Sequence, residues 1–107
     1  MITREGAIAA FLEQHPDAEW GPCHWILSDY NDDDGNLADG IAAIDEELAR
    51  GEPEADSYAS RKIASAAVAG RLRDQMVADW YEEQLATRAL LESLFALPIR
   101  EWPETRE

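Results

Sequence analysis

The chain predicts an all-α fold, a compact bundle of four to five helices with a long C-terminal helical region. Three observations carry that expectation. Alternation of apolar and polar residues, the signature of half-buried strands, is nearly absent. Apolar residues recur instead at helical spacing, most cleanly at Leu37, Ile41, Ile44 and Leu48. Capping residues, prolines and glycines fall where these periodic runs start and stop. The 107 residues, 46% apolar and 30% charged, suit one helical domain around one core.

Thr3 caps a first helix whose apolar face is Ala7, Ile8, Phe11 and Leu12. Pro16 ends it, because proline disfavours helical geometry in the residue before it. Gly21-Pro22 opens a short second helix, with Pro22 at the first position, where its missing N–H costs nothing. Cys23, Ile26, Leu27 and Tyr30 share one face of that helix; His24, Ser28 and Asn31 share another. Trp20, Trp25 and Tyr30 fall five residues apart, which forms no helical stripe. They read as core aromatics, with Trp20 or Trp25 half exposed.

The run Asn31-Asp32-Asp33-Asp34-Gly35 is a turn and cap for the third helix, where the helix dipole favours negative charge. Gly51 closes that helix, and Glu52-Pro53-Glu54-Ala55 is a short linker. Asp56 or Ser57 then caps a helical region, residues 56–97, with apolar positions Tyr58, Ile63, Ala67, Met76, Trp80, Leu85, Leu90, Leu91, Leu94 and Phe95. A single helix of about 40 residues would be roughly 60 Å long, so a break is expected near Gly70 or near Asp79. The small residues from Ala64 to Gly70 would admit another helix closely. Pro98 and Pro103 end the helical part, and Trp102 anchors a short tail, residues 98–107.

Charge is concentrated in one stretch. Residues 17–56 carry thirteen carboxylates against Arg50 alone, a balance of −12 within a chain of net charge −14. Such a patch repels nucleic acid and anionic membrane and attracts basic partners. The single cysteine, Cys23, excludes an internal disulfide. The opening Met1-Ile2-Thr3-Arg4-Glu5 has no apolar signal-peptide segment, and the uncharged run from Ile63 to Gly70 is too short for a bilayer. These features predict a soluble cytoplasmic protein that binds neither nucleic acid nor membrane directly.

The turn at residues 29–34 invites a calcium reading, because hard cations want clustered oxygen ligands. Aligned on Gly35, the EF-hand template finds Asp32, Asp34 and Leu37 in place but Tyr30 and Ile41 where carboxylates belong. Aligned on Asp29, it finds Asp34 where glycine is needed and Gly40 at the last ligand position. Neither register supplies the bidentate carboxylate. Cys23 and His24 point about 100° apart on a helix and lack further ligands. Cys23 reads as a small buried residue, and His24 as a side chain satisfied by a backbone or carboxylate partner. No phosphate loop, GxSxG or HExxH is present, so neither an enzyme, a cofactor nor a specific metal site is expected.

The segment Trp20-Gly21-Pro22-Cys23-His24-Trp25-Ile26-Leu27-Ser28-Asp29-Tyr30-Asn31, followed by Asp34, resembles a small family of acidic phage and prophage proteins. That family carries a GPxHxxLxDxNxxD-like stretch and an L-x-x-P-E-x-x-R tail, here loosely Leu97-Pro98 with Trp102-Pro103-Glu104-Thr105-Arg106. It has no assigned activity. The resemblance covers about a third of the chain and implies a genomic setting and no catalytic residues. It singles out His24, Asp29, Asn31 and Asp34, which read physically as a helix-end network.

The functional expectation is a non-enzymatic interaction module that binds a basic protein surface through Asp29, Asp32, Asp33, Asp34, Asp39, Asp45, Glu46 and Glu47. Its sharp form is a nucleic-acid mimic that inhibits a nucleic-acid-binding protein. Charge reversal at Asp39, Glu46 and Glu47 should then remove binding and leave folding intact. The alternatives are a calcium-responsive protein using the 29–34 turn, or a homodimer packed through Ala66, Ala67 and Gly70 with a merely solvated acidic face.

Overall fold

Thr3 starts the first helix by the cap its sequence suggests. Its hydroxyl accepts the Gly6 N–H at 3.2 Å, and helix α1 runs Arg4–Gln14. The structure, a computed structural model, describes residues 2–20, 24–28, 31–68, 70 and 72–99, with the side chains of Glu19, Trp20, Ser28 and Ala67 also left aside. The expectations for Gly21, Pro22, Cys23, Asp29, Tyr30, Trp102 and Pro103, and for the side chains of Trp20, Ser28 and Ala67, lie outside the described residues.

After α1 the chain turns at His15 into a short 3-10 helix, Pro16–Trp20, which the sequence did not announce. Helix α2 is His24–Ser28 and helix α3 is Asp34–Arg50. Asp33 is the cap of α3, its carboxylate accepting the Gly35 N–H at 2.7 Å. Gly51 ends α3 in the left-handed region, φ 83°, where a side chain would be strained. Helix α4 is Tyr58–Val68 and helix α5 is Arg73–Leu94. Ser57 provides the cap of α4, accepting the Ser60 N–H, while Asp56 takes a positive φ of 68° in the preceding turn. Among the described residues there is no strand, and the fold is an all-α bundle.

Of the two breaks expected in residues 56–97, the one at Gly70 occurs. Gly70 has φ 95°, and α5 passes through Asp79 without interruption. A left-handed residue ends a helix; an exposed Asp in its interior does not. The helix stops at Leu94 rather than near Leu97, because Ala96 and Leu97 donate back to Ser93 and Leu94 in a tighter final turn.

The core is built where α1, α2, α3 and the end of α5 meet. Ile8, Ala18, Ile26, Leu27, Leu37, Ile44, Leu91 and Leu94 form one buried cluster, with Ile41 and Leu48 packed against it. Gly40 lets α3 come close at its centre: a Cβ there would sit 3.0 Å from Ile26 and 3.2 Å from Leu91. The buried stripe of α5 is Trp80, Gln84, Thr87, Leu91 and Leu94. Leu85, expected inside, is exposed, as are Tyr58 and Phe95. Trp80, Leu91 and Leu94 are buried as expected, and the polar Gln84 and Thr87 fill the stripe between them. Thr87 meets its own need by donating to the Glu83 carbonyl at 2.9 Å.

Candidate functional site

Helix α3 separates its carboxylates by angle. At 100° per residue, Leu37, Ile41, Ile44 and Leu48 mark the buried side, and Asp39 and Glu46 fall almost opposite it. Asp45 and Glu47 lie on the two flanks. This placement decides what each acid does.

On one flank Asp45 meets Arg88 of α5, whose Nε donates to Oδ1 at 2.6 Å and whose Nη1 donates to Glu92 at 2.9 Å. The Arg88 hydrogen bond, with its charge, holds the Asp45 carboxyl below the ordinary aspartate range, and the same pair raises Arg88. On the other flank half-buried Glu47 accepts from Arg50, one helical turn on. Both acids thus lock α3 to α5 or to its own C-terminus.

The turn before α3 is similarly divided. Asp33 is taken up by capping. Asp34 accepts from Arg4 Nη2 at 2.7 Å. Arg4 is the most informative residue that the sequence reading missed. It is 5% exposed and its Nη1 donates to the Asn31 carbonyl at 3.0 Å and its Nε to the Leu97 carbonyl at 3.2 Å. Its backbone N–H, one of the donors a helix start leaves unmatched, reaches the Pro98 carbonyl at 2.9 Å. One guanidinium therefore ties α1, the 31–34 turn and the chain after α5 together. Asn31 and Asp34 belong to this clamp, and His24 is exposed. A lone Arg beside a helix N-cap was the available signal, since positive charge opposes the dipole there and calls for another reason.

Of the eight predicted site residues, Asp29 lies outside the described residues and Asp33, Asp34, Asp45 and Glu47 have internal duties. Asp32, Asp39 and Glu46 are exposed and make no ion pair or hydrogen bond among the described residues. No group of three His, Cys, Asp or Glu among the described residues is placed to hold a metal ion. No described helix is long and apolar enough to cross a membrane.

A second feature lies away from α3. A cleft of about 230 Å³ opens between α4 and α5, with Ile63, Met76 and Trp80 among its lining residues. Lys62 at this cleft pairs with Asp17 at 2.8 Å. Among the described residues the buried Trp80 indole nitrogen and Gln84 Oε1, both from lining residues, have no hydrogen-bond partner, and Glu83 Oε2 faces His15 Nδ1 at 3.1 Å. Comparison with protein families, with curated proteins and with solved structures finds no match for this chain.

Proposed function

We propose that this chain is a non-enzymatic, acidic interaction module of phage or mobile-element type that binds a basic surface of another protein. In its sharp form it occupies the nucleic-acid channel of that protein as a mimic and inhibits it. The observation that supports this reading is the division of labour on α3. Internal cations take Asp34, Asp45 and Glu47, while Asp32, Asp39 and Glu46 remain exposed and uncompensated among the described residues. Asp39 and Glu46 are seven residues apart, about 10.5 Å of axial rise. Three phosphate steps along one strand of a B-form duplex rise about 10.2 Å.

Because Glu47 supports Arg50, the informative variant reverses only the spare charges, Asp39→Lys with Glu46→Lys. It should melt like the parent chain. A tagged parent chain should capture a nucleic-acid-binding protein that elutes at high salt and releases DNA or RNA as the chain is added. The double variant should capture none. Equal capture by the variant, or capture that resists salt, would count against an acidic recognition face.

One observation favours a second reading, homodimerisation at the α4–α5 corner. Val68 is 89% exposed and Leu72 75% exposed there, beside the small residues Ala66 and Gly70. Light scattering should then show a dimer that Val68→Asp with Leu72→Asp converts to monomer.

A further inference from the structure

We propose that two copies of this chain pair through the outer face of α4, antiparallel about a two-fold axis, with Arg61 of each copy meeting Asp74 of the other. This pairing rests on the homodimer reading of the α4–α5 corner and adds the geometry of the contact. It uses residues of α4 and the start of α5 and none of α3, so it stands apart from the acidic-face reading.

The face follows from the helical phase of α4. Ile63 is buried, and at 100° per residue Arg61, Ala64, Ser65 and Val68 fall on the side away from it. All four are exposed. Val68 and, at the start of α5, Leu72 are the two most exposed large apolar side chains among the described residues. Apolar side chains gathered in the open mark an interaction surface. The middle of the face is small, so two backbones can approach there. A two-fold axis between Ala64 and Ser65 sets Arg61 of one copy beside Val68 of the other. The aliphatic stem of Arg61 then covers Val68, and Leu72 closes each end of the seam.

Charge selects a second copy as the occupant. Residues 57–79 carry four bases (Arg61, Lys62, Arg71, Arg73) and two acids (Asp74, Asp79), whereas residues 17–56 hold −12 of the chain's −14. Two copies therefore meet with least repulsion at this corner, and a basic partner would be drawn to the acidic stretch instead. Within the corner, Lys62 is taken by Asp17 and Arg73 by Glu52. Arg61 on α4 and Asp74 in the first turn of α5 are exposed and make no side-chain ion pair or hydrogen bond among the described residues. One surface thus offers a spare cation and a spare anion, as a self-complementary two-fold contact requires. Asp74 lies six positions after Val68, across the turn at Gly70, and the arginine that covers Val68 of the other copy meets it there.

The test is sedimentation velocity of the full chain across a concentration series at about 0.15 M salt, where a Debye length of about 8 Å screens the acidic stretch. The expected result is a monomer–dimer equilibrium with Kd of roughly 10–100 μM, in keeping with a small contact. Arg61→Asp and Asp74→Arg should each weaken it by about tenfold or more, because each variant makes both contacts of its dimer like-charged. A one-to-one mixture of these two variants should recover a Kd within about threefold of the parent's, since each contact of the mixed pair again joins opposite charges. The altered side chains are exposed, so melting temperatures taken well below the Kd should match the parent's. A dimer that Val68→Asp abolishes but the mixture does not restore would overturn the antiparallel pairing and leave the homodimer reading of the corner standing. A chain that is monomeric at every concentration, or a dimer that Val68→Asp leaves intact, would overturn both.

Discussion

The two ends of this bundle are built to different standards. Where α1, α2, α3 and the last turns of α5 meet, the interior is apolar, and Ile26, Leu37, Ile44, Leu91 and Leu94 are fully enclosed. Arg4, the one deeply buried charge there among the described residues, finds three acceptors. Where α4 meets the first half of α5, Ile63 and Trp80 are buried but Val68 and Leu72 stand in the open, and the Trp80 indole nitrogen and Gln84 Oε1 are buried without a hydrogen-bond partner among the described residues. A small domain has little surplus stability. The closed end supplies most of what the fold needs, and the open end leaves apolar side chains exposed and two buried polar atoms unsatisfied. Unmet polar groups and exposed apolar side chains both lower stability, so their concentration at one end is what a binding region is expected to show.

The largest expected effect breaks the closed end. Leu91→Ala should lower stability by about 2–5 kcal/mol, whereas Val68→Ala at the open end should stay within about 0.5 kcal/mol. Chemical denaturation of the two variants checks the contrast, and similar losses would abolish the distinction. Next comes the clamp. Arg4→Ala leaves the Asn31 and Leu97 carbonyls without their donor and should cost about 2–3 kcal/mol, read as a melting temperature lower by about 10 °C or more.

At the open end the sign should reverse. Gln84→Leu removes an orphaned amide oxygen, so stability should be unchanged or raised by up to about 1 kcal/mol. A large loss of stability would mean that Gln84 is already satisfied. The smallest effect concerns Asp45. Its carboxyl is held below the ordinary range by Arg88, so its contribution is present above the unfolded-state pKa and vanishes as pH falls through the lower folded value. Melting curves of the parent chain and Asp45→Asn should therefore differ modestly at neutral pH and converge as pH drops below the ordinary aspartate range. A difference that persists in strong acid would contradict the pairing.

Much of the closed end was legible before its structure. The caps at Thr3 and Asp33, the stop at Gly51 and the stripe Leu37, Ile41, Ile44 and Leu48 all follow from local chemistry that a sequence displays directly. What escaped reading was long-range. Arg4 reaches residues 27, 30 and 93 positions away, and no local pattern announces such a clamp. Gly40 entered the sequence reading only at the last ligand position of an EF-hand register, and its reason is the approach of Ile26 and Leu91. In α5 the positions Trp80, Leu91 and Leu94 were legible, but Gln84 and Thr87, which are polar, complete the stripe, and Leu85 sits on the outer face. On the acidic face the residue types were legible, but the partition between structural and spare carboxylates was not, since it depends on where Arg4, Arg50 and Arg88 arrive in space. The cleft could not be anticipated, because an orphaned atom is defined by what surrounds it.

Native-state hydrogen exchange, followed amide by amide, tests the two-ended account most directly. Amides within α3 around Leu37 and Ile44, and in α5 near Leu91, should exchange only through global unfolding. Those of α4 and the first turns of α5 should open at clearly lower free energy. Uniform protection along α3, α4 and α5 would contradict the account, because both ends would then hold the fold equally.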